Sequence, residues 1–522
     1  MGLWSSKEGL LHEATRGGVT ETVTRLLDAG VSVNCTVGHR SLLYEAIQSR
    51  QYDLVKLFIK RGADITAGYY TDTPLHLASR MGAEDLVKHL LQSGACVNMP
   101  DHNNCTPLWG AVAENKMAAV QVLLLHPGID VNTPCSDRFM KQGRSSSPLK
   151  EAIERNNLEL ISLLCMHGAD IEQADDARHK PLHYASCLGY SDVVNFLICE
   201  GSDLDVVDRG NVTPLYLACE RGHLQIASML INAGCDVSIS RNTTGWKHKL
   251  FSPLHIAVQE GHTDVVRLLC SVGTDVNMVE RLGKTALTLA CEAGHLDIVK
   301  ILIDYDADVN RRDVFGHTPL FYALHISQRN LKQKMQRANQ PCTTLHQVKQ
   351  PHGTNGGESF SVKALHMLLR AGAEMNCRDN IDKYSPIHYA IIYGHLDTTC
   401  TLLQYGAKIH SRDIQVEHLK WEDLSMLKLL IYYCQDFHDL AYILCQQRPK
   451  LVPSCQILPA LMTRQPDSLL KLCRRSVRCV LQNRTQRSIE PLVEELPVPS
   501  TLKTFLLLQD MYDLVFKHWD LA

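Results

Sequence analysis

A short block recurs along this chain, and the recurrence limits its fold more than any other feature. Thr73-Pro-Leu-His-Leu-Ala78 returns as Thr213-Pro-Leu-Tyr-Leu-Ala218 and Thr318-Pro-Leu-Phe-Tyr-Ala323. Variants are Lys180-Pro-Leu-His-Tyr-Ala185, Ser252-Pro-Leu-His-Ile-Ala257 and Ser385-Pro-Ile-His-Tyr-Ala390. Each block leads into a helix-like pattern that ends at a glycine: Gly62, Gly94, Gly168, Gly201, Gly234, Gly273, Gly372 or Gly406. The glycines fall 32 residues apart from Gly62 to Gly94, and 33 apart from Gly168 to Gly201 and from Gly201 to Gly234. At 522 residues the chain is too long for a single globular core, so a repeat array or several domains is required.

The physical sense of each repeat follows from its residue types. Thr or Ser before Pro starts a helix, because the hydroxyl accepts from free amides and proline at the first position wastes no N–H. Pairs such as Leu86/Val87 and Leu90/Leu91 mark one apolar face of a second helix. The closing glycine permits the left-handed cap that stops it. One helix pair cannot bury its own face, so neighbours must stack.

The blocks and their period resemble the ankyrin repeat, whose signature is T-P-L-H-x-A. The resemblance implies an all-α ankyrin-repeat solenoid over residues 1–409, about eleven repeats. It also implies short hairpin loops beside a concave groove formed with the first helices. Three intervals depart from the period. Gly128 to Gly168 is 40 residues and Gly234 to Gly273 is 39, with the extra length at 133–146 and 239–251. Asp306, at an expected glycine position, stands 66 residues before Gly372. Residues 328–361 are rich in Gln, Lys, Asn and Gly and lack apolar periodicity, which fits a disordered insertion or a degenerate repeat.

After Gly406 the pattern decays, and residues 410–460 read as a capping repeat with adaptor helices. Leu469, Cys473 and Val477 then fall at i, i+4 and i+8, one narrow helix face, after the start signals Pro466, Asp467 and Ser468. Alone this face is also what a core helix with a buried cysteine would show. About twenty residues on comes Val493-Glu-Glu-Leu496-Pro497-Val498-Pro499, followed by Leu502 and Phe505. A stiff extended linker would read much the same. In order, and after a repeat array, the two segments are similar to the elongin-C box and the cullin box of a SOCS box over 461–508, with a tail at 509–522. The chain thus resembles the ankyrin-repeat and SOCS-box family.

That resemblance implies that Leu469, Cys473 and Val477 meet elongin C, which carries elongin B. It implies that Leu496, Pro497, Val498, Pro499, Leu502 and Phe505 meet cullin-5 with its RING partner. The repeat groove would hold a target protein for ubiquitination and proteasomal degradation. The other reading is an ankyrin scaffold or inhibitor without ligase recruitment. No enzyme, cofactor or metal site is expected. Gly283-Lys284-Thr285 lacks the earlier glycine of a phosphate-binding loop, since Met278 stands there. His76, His183, His255 and His388 occupy one fixed repeat position and are expected to make structural hydrogen bonds.

The insertions carry basic residues (Arg138, Lys141, Arg144, Lys247, Lys249) and aromatics (Phe139, Trp246, Phe251) expected to be exposed. Arginine and aromatic side chains are common interface anchors, so Phe139, Arg144, Trp246 and Lys247 are target-binding candidates for an acidic segment with apolar anchors. A net charge of −3 offers no wholesale affinity for nucleic acid. The 19 cysteines are scattered without a CxxC pair and read as reduced, buried thiols of a cytoplasmic or nuclear protein. Met1-Gly2-Leu3-Trp4-Ser5-Ser6 fits the N-myristoylation pattern at Gly2, the only route to membrane contact that the sequence offers.

Overall fold

A computed structural model describes residues 7–67, 72–136, 145–242, 250–324, 360–381, 383–392 and 395–408. They divide into two compact units, Met1–Lys247 and His248–Ala522. Among the described residues each is a run of helix pairs. In the first unit Pro74–Met81 is followed by Glu84–Gln92, Pro107–Ala113 by Met117–Leu124, and Pro214–Arg221 by Leu224–Asn232. In the second, Pro253–Glu260 is followed by Thr263–Ser271 and Ala286–Ala293 by Leu296–Asp304. The few strands are two residues long, such as Thr36–Val37 paired with Arg40–Ser41. The all-α reading of the sequence holds.

The start signals work as their chemistry requires. Thr213 is extended at φ −96° and ψ 162°, and its hydroxyl accepts from the Tyr216 amide at 3.1 Å. Ser147 does the same for the Lys150 amide at 3.3 Å. The turn between paired helices needs a left-handed residue, supplied by Gly82, Gly222 and Gly261, and elsewhere by Arg50, Asn115 and Asn156. Asp306, at a glycine position, likewise adopts φ 60°.

Stacking buries the apolar faces: Leu86, Val87 and Leu90 are at most 5% exposed. Leu91, read from the sequence as part of that face, sits at its edge and is only partly covered. An asparagine ladder ties the ends of neighbouring repeats. Asn34 Nδ2 donates to the Gly62 carbonyl, and Asn34 Oδ1 accepts from the Asp64 amide at 2.8 Å. Asn132 makes the same pair of bonds to Gly168 and Asp170, so the first insertion leaves the ladder intact.

Asn310 repeats them with Gly372 and Glu374, across residues 325–359. The helical residues 319–324 and the helix Phe360–Arg370 therefore occupy the two halves of one repeat. Phe360–Arg370 also takes in Ser361, the last residue the sequence assigned to the insertion. Residues 325–359 lie outside the described residues.

The fold brings Cys105 and Cys135 side by side, their Cα atoms 4.2 Å apart, although 30 residues separate them. Stacking brings the start of one repeat against the hairpin of the next, a proximity that sequence spacing does not reveal. Burial pushes the thiols of Cys219 and Cys291 far above their usual range, as small apolar core groups.

Candidate protein-binding surfaces

The recurring histidines hold the array together. His76 Nδ1 lies 3.3 Å from the Thr73 amide, and Nε2 lies 3.0 Å from the Cys105 carbonyl of the next repeat. His183 makes the same pair with the Lys180 amide (3.1 Å) and the Val212 carbonyl (2.9 Å). His255 does so with Ser252 (3.3 Å) and the Met278 carbonyl (3.1 Å). Nδ1 accepts from an amide, so the proton sits on Nε2 and donates to the next repeat. Burial lowers the pKa of all three, that of His255 to about 4. They are neutral structural staples, as their fixed position led us to expect.

Each repeat projects a hairpin between one helix pair and the next, and successive tips bond to each other. In the first unit the Arg209 amide donates to the Ala177 carbonyl at 3.2 Å, and Ser136 to Asn103 at 2.9 Å. In the second unit Val314 donates to Leu282 at 2.9 Å, and Asn380 to Phe315 at 2.8 Å.

Under the tips lies a clamp that the sequence reading did not identify. His179 Nε2 is 3.1 Å from Asp208 Oδ2, and Nδ1 is 3.6 Å from Asp175 Oδ2, so one ring faces two carboxylates from adjacent hairpins. The Tyr184 hydroxyl donates to Asp175 Oδ2 at 2.5 Å. Burial opposes ionisation of Asp175, but bonds from Tyr184 and the His179 amide outweigh it and hold its pKa below the usual range. Burial likewise opposes ionisation of Asp208, and contacts from His179, Val212 and Gly210 reverse it.

The second unit repeats the arrangement with Asp313, His317, Asp379 and Tyr322. Its legible signal was Asp, then His four residues on, then Tyr nine residues on: Asp175/His179/Tyr184 and Asp313/His317/Tyr322.

Beside the first clamp a small cavity is lined by Pro134, Ser145, Lys150, Gln173 and Tyr184, among others. Lys150 Nζ stands 4.7 Å from the Tyr184 ring centroid. This cavity adjoins the base of the first insertion, which is closed by paired bonds between Cys135 and Ser146 at 2.8 and 2.9 Å. Ser145 donates from its amide to Asp176 at 3.0 Å.

Of the candidates named from sequence, Phe139, Arg144, Trp246 and Lys247 lie outside the described residues, as do Arg138, Lys141 and Lys249. Phe251 is described, and its expected exposure is corrected. It is 3% exposed, and its ring lies 5.7 Å from that of His255, so it fills core at the mouth of its repeat. Gly2, Leu469, Cys473, Val477, Leu496, Pro497, Val498, Pro499, Leu502 and Phe505 also lie outside the described residues.

Helix pairs joined by linked hairpins and stapled by a recurrent Thr/Ser–Pro–Leu–His block define an ankyrin-repeat protein, a class built for protein contacts. The model for ankyrin repeats (3 copies) matches residues 5–69, 67–135, 134–208, 198–280 and 254–333. That for ankyrin repeats (many copies) matches 358–403, and the SOCS box model matches 465–507. Ankyrin repeat and SOCS box protein 16 of Homo sapiens is 30% identical over 212 residues, 36% of this chain and 44% of the relative. Ankyrin repeat and SOCS box protein 5 of Mus musculus is 32% identical over 116 residues, 22% of this chain and 35% of the relative. Rabankyrin-5 of Homo sapiens is 28% identical over 160 residues, 28% of this chain and 13% of the relative. The chain thus spans less than half the length of each. It belongs to the ankyrin-repeat and SOCS-box family.

Proposed function

We propose that this chain is a substrate-recognition adaptor of an elongin BC–cullin-5 RING ubiquitin ligase. Its repeat array captures a target protein for ubiquitination and proteasomal degradation. The supporting observation is the SOCS-box match at 465–507, behind an ankyrin array and over the residues that carry both boxes. In this reading Leu469, Cys473 and Val477 enter an apolar pocket on elongin C, and Leu496–Pro499 with Leu502 and Phe505 meet cullin-5. Transfer of ubiquitin is done by a separate conjugating enzyme, and this chain contributes proximity and orientation.

Truncating a well-buried leucine costs about 2–5 kcal/mol, so Leu469→Ala with Cys473→Ala should abolish capture of elongins B and C. Alanines at Leu496–Pro499 should spare elongin capture and lose cullin-5. Co-purification of both partners from cells checks this. Elongin capture at wild-type strength by the Leu469/Cys473 variant would leave an ankyrin scaffold or inhibitor in place of the ligase adaptor.

Two smaller readings accompany this one. Arg144 and Trp246 on the insertions contribute to target capture, so their double alanine variant should bind target more weakly at unchanged thermal stability. A myristoyl chain on Gly2 gives weak, reversible membrane contact of about 10⁴ M⁻¹ to an otherwise cytoplasmic protein. Intact-mass analysis of the N-terminal peptide decides it.

A further inference from the structure

We propose that the hairpin tips carrying Leu282, Val314, Phe315 and Ile381 form a docking strip for an extended acidic segment with apolar side chains. The inference concerns which segment the array captures; it rests on the repeats being the target-binding part, not on ligase recruitment.

Leu282 is 40% exposed, Val314 55%, Phe315 39% and Ile381 62%. Isolated apolar side chains on a surface need no explanation, but these four share successive tips bonded main chain to main chain. The Asn380 side chain adds a third link, from Nδ2 to the Val314 carbonyl at 3.4 Å. The platform beneath is fixed. Asp313 Oδ1 accepts from the amides of Phe315 (2.9 Å) and His317 (2.8 Å), and Oδ2 accepts from the Tyr322 hydroxyl at 2.6 Å. A strip held this way loses little freedom on binding, which favours affinity.

The charge beside the strip selects the ligand. Arg281, Arg311, Arg312, Arg378 and Lys383 flank the apolar residues and are exposed. Three carboxylates next to the apolar residues are turned inward, Glu280, Asp313 and Asp379, at most 6% exposed, while Asp275, Asp308 and Glu374, earlier in the same loops, are exposed. Lys284 pairs with Glu292 and His317 faces Asp313 and Asp379, and among the described residues Arg281, Arg311, Arg312 and Lys383 pair with no carboxylate. Asp382, which follows Ile381, lies outside the described residues. Residues 328–361 of the chain itself would be repelled, since they carry Arg329, Lys332, Lys334, Arg337 and Lys349 against Glu358.

The form of the ligand follows from the geometry. One or two apolar side chains per tip, on tips in series, make a line. A line suits an extended peptide, whose alternate side chains face one way. A lipid surface would be met better by a broad apolar face with a basic border.

The test uses the full chain and two labelled peptide pools of about nine residues, an extended length of roughly 30 Å. One pool alternates Glu with Leu, Val or Phe; the other has Lys in place of Glu. Fluorescence anisotropy should show the acidic pool binding at least about tenfold more tightly, with the difference shrinking as salt rises. Val314→Ser with Phe315→Ser, and separately Arg281→Glu with Arg311→Glu, should each weaken binding by about tenfold or more. Both variants should keep their thermal midpoint and their elongin capture, which separates failure of the strip from failure of the ligase reading. The strip is overturned by no binding of the acidic pool, by equal binding of the two pools, or by unchanged binding in both variants. It is also overturned if vesicles rich in phosphatidylserine, and not the peptides, lose binding to these variants.

Discussion

The hairpins of residues 7–242 and those of 250–408 stand on the same clamp and present different surfaces. In the first unit His179 sits between Asp175 and Asp208; in the second, His317 sits between Asp313 and Asp379. Above the first clamp the tips carry His102 and Asn103, Asp176 and Ala177, Arg209 and Gly210. Above the second they carry Leu282, Val314, Phe315 and Ile381. Buried positions of a repeat answer to stacking and are copied from unit to unit. Tip side chains take little part in the stacking that buries the core, so they are free to differ and to specify a partner.

The sharpest way to break this division is to compare a buried position with a tip in the same repeats. Leu287 is fully buried, and Leu287→Ala should destabilise its repeats by about 2–5 kcal/mol in urea unfolding. Val314→Ser with Phe315→Ser should stay within about 1 kcal/mol. A comparable loss from the tip pair would mean that the tips belong to the core and that their exposure carries no function.

Acid should act on the staples that both units share. His255 is neutral in the fold with a pKa of about 4, whereas the unfolded chain binds that proton near 6.5. Between these values the unfolded state holds more protons, so stability is full above pH 6.5 and falls as pH drops toward 4. Over that window His255 alone contributes about 3 kcal/mol. His76 and His183 are shifted the same way, so both units should weaken together. Urea midpoints at pH 7, 5.5 and 4.5 check this, and a flat profile would refute neutral staples.

Helix starts should respond more mildly. Thr213→Ala and Thr285→Ala each remove a hydroxyl that accepts a helix amide and should cost about 1 kcal/mol apiece. Thr285 also tests whether the proline and histidine of the block are dispensable. Its repeat reads Thr285-Ala-Leu-Thr288, and the two threonine hydroxyls meet at 3.1 Å where other repeats place the histidine. A much larger cost at Thr285 than at Thr213 would show that this repeat leans harder on its remaining cap.

The smallest effect should come from the clamps. The rings of His179 and His317 lie 3.1 to 3.9 Å from their carboxylates, mostly longer than a good hydrogen bond, so His→Ala at either should cost on the order of 1 kcal/mol. Thermal midpoints of the two variants should fall by similar amounts. Unequal falls would sharpen the comparison, because they would show one clamp bearing more of its hairpins' order than the other.

Period, helix starts, glycine stops and buried faces were legible in the sequence because each depends on residues within one repeat. Thr73, Pro74 and His76 form a local start, and the glycine position is read even where Asp306 occupies it. The SOCS box was legible for the same reason, as two short segments with fixed internal spacing. Contacts between repeats were not. Cys105 meets Cys135 across 30 residues, and Phe251 turns into the core although its loop reads as exposed.

Leu282 and Phe315 stand 33 residues apart, and Phe315 and Ile381 stand 66 apart. Only the stacking of hairpins makes them neighbours. Local chemistry thus determined what each repeat is. The tertiary structure decided which side chains share a surface, because a stack brings together residues one repeat apart, and the burial of each depends on its neighbours.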